Sequence, residues 1–126
     1  MNKRVLVADD EEIVRAVLKA HLAKWGYGVT EAADGEEALT QLVKHPFDLL
    51  ICDILMPKKT GWEVLQEVRS NPKTKDLPVI VLTAKNEDPD MFKGYGLGAN
   101  YYMTKPFTKA QLQYGIELMF GKDASP

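Results

Sequence analysis

Residues 5–10 read Val-Leu-Val-Ala-Asp-Asp, an apolar run that stops at two carboxylates. Similar apolar runs stop at Asp53 and at Thr83, and a fourth segment ends at Lys105. Apolar runs without alternation are typical of parallel strands that are covered by helices on both faces. The carboxyl ends of such strands share one edge of the sheet, where open α/β sheets bind ligands. The sequence therefore predicts that three carboxylates, a hydroxyl and an ammonium meet at one edge.

Segments with helical spacing alternate with these runs along the chain. Apolar periodicity predicts five helices, over residues 11–25, from an N-cap at Asp34 to before Pro46, and over 61–70, 89–96 and 108–120. Further strands are predicted near residues 28–31 and 100–103. Asp34 and Glu37 have the spacing of a capping box. The helix over 89–96 is predicted to be the weakest, because glycines fall at its end.

Five strand and helix units predict an α/β fold. Because crossovers between parallel strands are right-handed, we expect a doubly wound, five-stranded parallel sheet of the flavodoxin-like (βα)5 type, in the order 2-1-3-4-5. The length of 126 residues suits one compact domain. We expect this domain to span residues 1–121, followed by a short tail at 122–126, with no output domain in this chain.

Composition narrows the classes of function. A formal net charge of -2 gives no global basic field that would favour direct binding to nucleic acid. The sequence contains neither a signal peptide nor a run of about eighteen apolar residues. It therefore predicts neither a secreted protein nor a membrane protein. The single Cys52 cannot form an internal disulfide and is expected to be a small core residue. We therefore expect a cytoplasmic protein.

The loop after the first strand is strongly acidic, with Asp9, Asp10, Glu11 and Glu12 in succession. A loop that cradles phosphate directly offers glycines and backbone donors, whereas carboxylates repel bare phosphate. Carboxylate oxygens instead suit a hard divalent cation, and Mg²⁺ is the expected ion. The alternative is a solvated loop whose glutamates favour the start of the following helix.

Asp53 directly follows four apolar residues, so its carboxylate loses hydration unless a cation or hydrogen bonds compensate. Lys105 is the predicted partner, and its ammonium could later hold a phosphoryl oxygen. The alternative is a purely structural pair between these two residues. Thr83 at a strand end is ordinary by itself, since threonine is a good strand former.

The order and spacing of these motifs along the chain resemble those of the receiver domain of two-component response regulators. The resemblance covers nearly the whole chain. Thr83 lies 30 positions and Lys105 lies 52 positions after Asp53, as in that family. The motifs that carry the resemblance are Val5-Leu6-Val7-Ala8-Asp9-Asp10-Glu11, Asp53-Ile54-Leu55-Met56-Pro57 with Gly61, Val81-Leu82-Thr83-Ala84, and Gly98-Ala99 with Tyr102 and Lys105-Pro106-Phe107. The order 2-1-3-4-5 is also that of chemotaxis receivers.

The resemblance implies a role for each residue at this edge. Asp53 would be the phosphoacceptor, a carboxylate nucleophile that becomes an acyl phosphate. Asp10, Asp53 and the backbone carbonyl of Leu55 would bind Mg²⁺ directly, and Asp9 would act mainly through water. Lys105 and the hydroxyl of Thr83 would hold phosphoryl oxygens, and the Lys105-Pro106 bond resembles the family's cis peptide.

The resemblance also implies partners and a switch. The phosphoryl donor would be a sensor histidine kinase or a phosphotransfer protein, and the recipient of the signal would be a downstream protein target or output domain. Thr83 would move towards the phosphoryl group and Tyr102 would turn inward behind it. The helix over 89–96, the fifth strand and the last helix would form the output face. Apart from transfer to Asp53 and hydrolysis from it, no enzymatic turnover is implied.

The chain departs from the family where many DNA-binding members dimerise through charged residues. Asn100-Tyr101 precedes Tyr102, and no arginine follows Arg69, so that ion-pair dimer is not predicted. Either a monomer or a phosphorylation-dependent dimer is compatible with the sequence. Aromatic and apolar residues instead suit either the core or a heterologous interface; they are Met91, Phe92, Tyr95, Tyr101 and Tyr114. Trp25 and Trp62 are predicted to pack in the core.

Three other functions also fit parts of this pattern. A phosphatase of the haloacid dehalogenase type uses an aspartate and Mg²⁺, but its Asp-x-Asp motif follows the first strand. A flavodoxin-like carrier needs a first loop rich in glycine and hydroxyls, whereas this loop is acidic. A pseudo-receiver would keep the fold as an interaction module without accepting phosphate. Turnover of a phosphomonoester would favour the phosphatase, and a coloured protein would favour the flavodoxin-like carrier. Absence of phosphorylation would favour the pseudo-receiver.

Overall fold

A computed structural model describes residues 3–84 and 98–121 of the chain. Strands and helices alternate through most of these residues. The strands are β1 (Arg4–Ala8), β2 (Gly28–Ala32), β3 (Leu49–Asp53), β4 (Val79–Ala84) and β5 (Tyr101–Lys105). The helices are α1 (Glu12–Lys24), α2 (Gly35–Lys44), α3 (Gly61–Ser70) and α4 (Lys109–Phe120). The helix predicted over 89–96 lies outside the described residues.

The five strands form one parallel sheet in the order β2-β1-β3-β4-β5, which confirms the predicted fold and strand order. The register aligns Ala8 with Cys52 between β1 and β3, and Asp53 with Leu82 between β3 and β4. Lys105 pairs with Ala84 at the end of β5. Each strand therefore delivers its last residue to the same edge of the sheet.

Alternate residues of the strands fill two core layers, one on each face of the sheet. On one face, Leu6, Leu50 and Val81 pack in a cluster with residues of α2 and α3. On the other face, Ile51 and Leu82 pack in a cluster with residues of α1 and α4. All five of these strand residues are at most 2% exposed. Burial on both faces explains the continuous apolar runs in the sequence.

The helices begin at caps that fix the loops at the carboxyl edge. The Asp34 side chain accepts a hydrogen bond from the Glu37 N–H, as predicted for the N-cap of α2. The predicted capping box is incomplete, because the Glu37 carboxylate accepts from the N–H of Ala33 rather than from that of Asp34. Complete capping boxes instead begin α3 and α4, at Thr60 and Thr108.

Arg69, at the end of α3, fixes the chain as it enters β5. Its Nε and Nη2 groups donate to the Gly98 carbonyl, and Nη1 donates to the carbonyls of Lys75 and Leu77. Nη2 also donates to Oδ1 of Asn100, which accepts a further hydrogen bond from the Val79 N–H. The side-chain oxygen of Asn100 therefore helps to hold the fold together by accepting these two hydrogen bonds.

The core contains most of the residues that the sequence assigned to packing. Trp25 and Trp62 are buried at 8% and 9% exposure, and Cys52 is buried at 2% exposure. Tyr101 is half-buried and its ring lies edge-on to that of Tyr114, which is 56% exposed. Met91, Phe92 and Tyr95 lie outside the described residues. Within the described part of the chain, no helix has the length and apolar character needed to cross a bilayer.

Candidate functional site

The first carboxylates of the site lie directly after β1. Asp9 is fully buried, and its Oδ1 accepts a hydrogen bond from the Glu11 N–H at 2.9 Å. The Arg15 side chain donates to the Asp9 carbonyl at 2.8 Å, and the Asp9 N–H donates to the Ala32 carbonyl. Asp10, one residue further on, is exposed. The turn thus directs one carboxylate into the fold and leaves the next at the surface.

Asp53 is the last residue of β3 and is 6% exposed. The next residue, Ile54, donates its N–H to Leu82 and accepts from the Gly61 N–H at 2.7 Å. A Cβ atom at Gly61 would lie 2.3 Å from the Asp53 carbonyl oxygen, far inside van der Waals contact. Glycine therefore allows α3 to begin directly against the backbone that carries Asp53.

Lys105 reaches across the edge of the sheet from the end of β5. Its Nζ lies 3.2 Å from Oδ2 of Asp53, the partner that the sequence predicts. The same ammonium lies 2.8 Å from Oδ2 of Asp9 and 2.8 Å from Oε2 of Glu11. Sequence reasoning did not identify Glu11 as a partner of this lysine. The Lys105-Pro106 peptide bond is cis, as the resemblance implies.

Three carboxylates converge at this edge, because Asp9, Asp10 and Asp53 each offer an oxygen within 4.8 Å of the others. An adjoining cavity of about 260 Å³ opens to the surface. It is lined by Asp10, Glu11, Asp53, Leu55, Ala84 and Lys105. The Leu55 side chain is 61% exposed on its rim. A small ligand can therefore reach the carboxylate of Asp53 from solvent.

The electrostatics of the cluster are dominated by burial and by like charges. Burial, together with the charge of Asp9, raises the pKa of Asp53 to about 6, although Lys105 opposes the shift. Burial lowers the pKa of Lys105, but hydrogen bonds to Asp9 and Glu11 outweigh it and raise that pKa overall. The hydrogen bond from Lys105 holds the pKa of Glu11 below its ordinary value.

These charges decide whether the site fits a cation. At neutral pH, a pKa of about 6 leaves Asp53 mostly ionised beside two other carboxylates, and one lysine cannot neutralise all of them. Oδ2 of Asp9 is buried and has only the lysine ammonium at ion-pair distance within the described residues. Oxygen donors with an excess of negative charge are what Mg²⁺ prefers. The residues present therefore fit this ion.

The two predicted switch residues lie on β4 and β5. Thr83 is 1% exposed, and its hydroxyl lies 3.2 Å from the Ala84 carbonyl, to which it donates. Tyr102 is 7% exposed, and its ring centroid lies 6.3 Å from that of Trp62. The ring of Tyr102 is therefore already turned inward in this structure.

Comparison with known proteins gives a family for this arrangement. A family model of the response regulator receiver domain matches residues 5–117. The transcriptional regulatory protein PhoP of Bacillus subtilis (strain 168), named for alkaline phosphatase synthesis, is 42% identical over 117 residues. That match covers 93% of this chain and 48% of the relative.

A second relative, the response regulator GtcR of Aneurinibacillus migulanus, is 43% identical over 107 residues. The match covers 85% of this chain and 43% of that protein. The chain thus spans about half the length of the curated relatives it matches.

Solved structures show the same fold. The Vibrio cholerae chemotaxis protein CheY4 superposes with a TM-score of 0.89 at 32% identity, over 95% of this chain and 100% of that one. The receiver domain of the sensor histidine kinase PA1611 from Pseudomonas aeruginosa PAO1 superposes with a TM-score of 0.87 at 29% identity. That match covers 96% of this chain and 99% of the other, which has a magnesium ion coordinated in its active site cleft.

Proposed function

Because this chain belongs to the response regulator receiver domain family, we propose that it accepts a phosphoryl group on Asp53 with Mg²⁺ and passes the resulting change to a partner as a signal. The observation that carries this proposal is the position of the Asp53 carboxylate. It is buried at the sheet edge, lies 3.2 Å from the Lys105 ammonium and faces a cavity open to solvent.

The metal requirement rests on the cluster of Asp9, Asp10 and Asp53. Asp10 and Asp53 would hold Mg²⁺ directly with the backbone carbonyl of Leu55, and Asp9 would act mainly through water. An ion held there would supply positive charge that offsets the charge of the transferring phosphoryl group and would favour its in-line orientation. Asp9 also keeps the Lys105 ammonium at the site through their 2.8 Å ion pair.

The transfer step uses Asp53 as the nucleophile. A carboxylate oxygen attacks phosphorus and forms an O–P bond, while the P–N bond of a phosphohistidine breaks. The imidazole leaves with the electron pair and takes up a proton. Lys105 and the Thr83 hydroxyl then hold phosphoryl oxygens. In a separate hydrolysis step, water attacks phosphorus, the bond between phosphorus and the Asp53 oxygen breaks, inorganic phosphate is released and the carboxylate is restored.

The signal would leave the site through Thr83 and Tyr102. A phosphoryl group brings roughly 1.5 to 2 negative charges and three acceptor oxygens in place of the single charge of the Asp53 carboxylate, so the nearby hydroxyl is drawn towards it. The Tyr102 ring is already inward and packs near Trp62. Phosphorylation would therefore favour this inward position rather than create it. The output face would comprise residues 89–96, β5 and α4.

The proposed donor is a sensor histidine kinase or a phosphotransfer protein. Relatives named as transcriptional regulators suggest an output domain as one recipient, and a separate protein target as another. The proposed domain comprises residues 1–121 and is a monomer or a phosphorylation-dependent dimer. We propose that it does not itself bind nucleic acid or a membrane. A cytoplasmic location is proposed because such donors present phosphohistidine there. The chain would act as a switch and not as an enzyme that turns over a metabolite.

The test is the intact mass of the protein after incubation with acetyl phosphate and Mg²⁺. We expect a gain of one phosphoryl group in the wild type, and no gain for Asp53→Ala or after chelation of the metal. Asp48→Ala is the matched control, because Asp48 lies at the opposite edge of the sheet and should not affect phosphorylation. A well-folded wild type that gains no mass from acetyl phosphate, a phosphoramidate or a phosphohistidine protein would instead favour a pseudo-receiver.

A further inference from the structure

The Lys105 ammonium is fully engaged by carboxylates in this structure. A lysine ammonium has three N–H donors. Within the described residues, it has three carboxylate partners, Asp9 and Glu11 at 2.8 Å and Asp53 at 3.2 Å. Phosphorylation uses a carboxylate oxygen of Asp53 and so frees at most the donor that faces Asp53. A phosphoryl group that accepts a second hydrogen bond from this lysine must therefore displace Asp9 or Glu11.

Asp9 is held too firmly to be the contact that gives way. Its side chain is fully buried, and within the described residues its Oδ2 has no other partner than the ammonium. In the metal-free protein, loss of the lysine would leave a buried charge without compensation, which is strongly unfavourable. With Mg²⁺ bound, Asp9 would contact the ion mainly through water, and Lys105 would remain its direct cationic partner within the described residues. The contact of Asp9 with Lys105 should therefore persist after phosphorylation.

Glu11 can release the lysine at little cost. Its side chain is 60% exposed, so water can hydrate its carboxylate once the ammonium leaves. Ion pairs at such exposed positions contribute little to stability. Of the two partners at 2.8 Å, Glu11 is the one that can exchange Lys105 for water.

The side chain of Glu11 has no structural role at the start of α1. Glu11 is the N-cap residue of this helix, yet its side chain makes no capping hydrogen bond. Glutamate is not a preferred N-cap residue, and here the carboxylate turns to Lys105 instead. Substitution of this side chain should therefore leave the helix intact.

We propose that Glu11 is a positioning residue that competes with the phosphoryl group on Asp53 for the Lys105 ammonium. This inference rests on the proposed phosphorylation of Asp53. Glu11 stabilises the resting state relative to the phosphorylated state, because its contact with the lysine breaks when the phosphoryl group arrives. The Glu11–Lys105 pair thus sets part of the balance between the two states.

The test is a titration with beryllofluoride, a phosphoryl analogue, at Mg²⁺ concentrations that saturate each variant. Glu11→Gln removes the charge. Glu11→Asp keeps the charge but shortens the side chain by one methylene, so that the 2.8 Å contact is lost. Glu12→Gln is the control, because it removes an exposed charge from the adjacent position. Calorimetry gives the affinity of each variant.

Competition predicts that Glu11→Gln and Glu11→Asp both bind the analogue about two- to fivefold more tightly than the wild type, the range expected for an exposed ion pair. Glu12→Gln should change the affinity less than either. Equal affinities of Glu11→Asp and the wild type would show that only the local charge matters, and would overturn the proposal. Weaker binding by both Glu11 variants would also overturn it, since Glu11 would then support the phosphoryl state.

A spectroscopic signature separates competition from a structural role. The side-chain carboxyl ¹³C resonance of Glu11, followed at constant neutral pH, should move towards that of the solvated Glu12 when beryllofluoride binds. An unchanged Glu11 resonance in a protein that binds the analogue would contradict release of the lysine. If the wild type binds no beryllofluoride, the proposed function itself fails; if it binds but the Glu11 variants match Glu12→Gln, the competition alone fails.

Discussion

At the scale of single residues, the fold places the Asp53 carboxylate where its charge is unfavourable without a cation. Burial and Asp9 raise its pKa to about 6, and Lys105 compensates only in part. An acid whose pKa is higher in the folded state than in the unfolded state destabilises the fold when ionised. The cost is present above about pH 6 and disappears as the pH falls below that value.

Asp53→Asn should therefore stabilise the metal-free protein at pH 7. A shift of the Asp53 pKa from 3.8 to about 6 sets an upper limit of about 3 kcal/mol, and loss of the contact with Lys105 reduces the gain. Urea denaturation in the presence of a chelator measures the difference. The gain should shrink as the pH falls from 7 to 5. A variant less stable than the wild type at pH 7 would contradict this account of Asp53.

The side chain at position 55 should affect the lifetime of the phosphorylated state. Leu55 lies on the rim of the acidic cavity and offers no hydrogen bond to an attacking water. We expect the aspartyl phosphate of the wild type to persist for minutes or longer, and Leu55→Asn to shorten its lifetime several-fold. Release of inorganic phosphate after removal of the donor measures both. Decay of the wild type within seconds would contradict the prediction.

The sequence predicts the position of the site residues better than their contacts. Asp53 and Lys105 are the last residues of their strands and Asp9 directly follows β1, so the sheet alone brings them to one edge. The contact between Glu11 and Lys105 depends on the rotamers of two long side chains 94 positions apart, which no sequence pattern encodes. Distances at this level need the three-dimensional structure.

At the scale of elements, Arg69 connects the end of α3 to the start of β5. All five N–H donors of its guanidinium are used, in hydrogen bonds to three backbone carbonyls and to Asn100. Gly98 is needed beside it, because a Cβ at that position would lie 2.7 Å from the Arg69 Nε. The positive φ of Gly98, 97°, is also one that glycine adopts readily.

Arg69→Ala should lower the free energy of unfolding by about 2 to 4 kcal/mol, since hydrogen bonds from a charged group are worth more than neutral ones. Chemical denaturation measures the change. Lys73→Ala is the control, because Lys73 is an exposed cation in the following loop and should change stability little. Equal effects of the two substitutions would show that the guanidinium network does not stabilise the fold.

The sequence predicts some features of the helices and strands, but not the contacts of Arg69. The apolar runs and right-handed crossovers favour a doubly wound sheet, whereas the order 2-1-3-4-5 is partly what the family resemblance implies. The capping boxes at Thr60 and Thr108 have a spacing that sequence reasoning could have used. The role of Arg69 could not be predicted, because its acceptors are mostly backbone carbonyls, which every sequence contains.

At the scale of the whole molecule, signalling requires that a change at Asp53 reaches a distant surface. β4 and β5 lie side by side and end at the site, and residues of both strands, Leu82 and Met103, pack in one cluster with residues of α4. The exposed side chains of this face include Tyr114 and Leu118, at 56% and 50% exposure. An apolar surface of this kind suits a protein partner.

Beryllofluoride with Mg²⁺ should therefore shift amide resonances on one side of the molecule. We expect the largest shifts outside the active site in residues 89–96, β5 and α4. Residues of α2 and β2, at the other end of the sheet, provide the internal control. Unchanged spectra in β5 and α4 when the analogue is bound would argue against this output face.

The most direct test of the central claim is to trap the phosphoryl group on its residue. After incubation with acetyl phosphate and Mg²⁺, borohydride reduces an acyl phosphate to the alcohol, which converts the modified aspartate to homoserine. Peptide mass spectrometry then locates the change. The account predicts homoserine at position 53 and at no other aspartate. Phosphorylated protein in which Asp53 remains unmodified would contradict it.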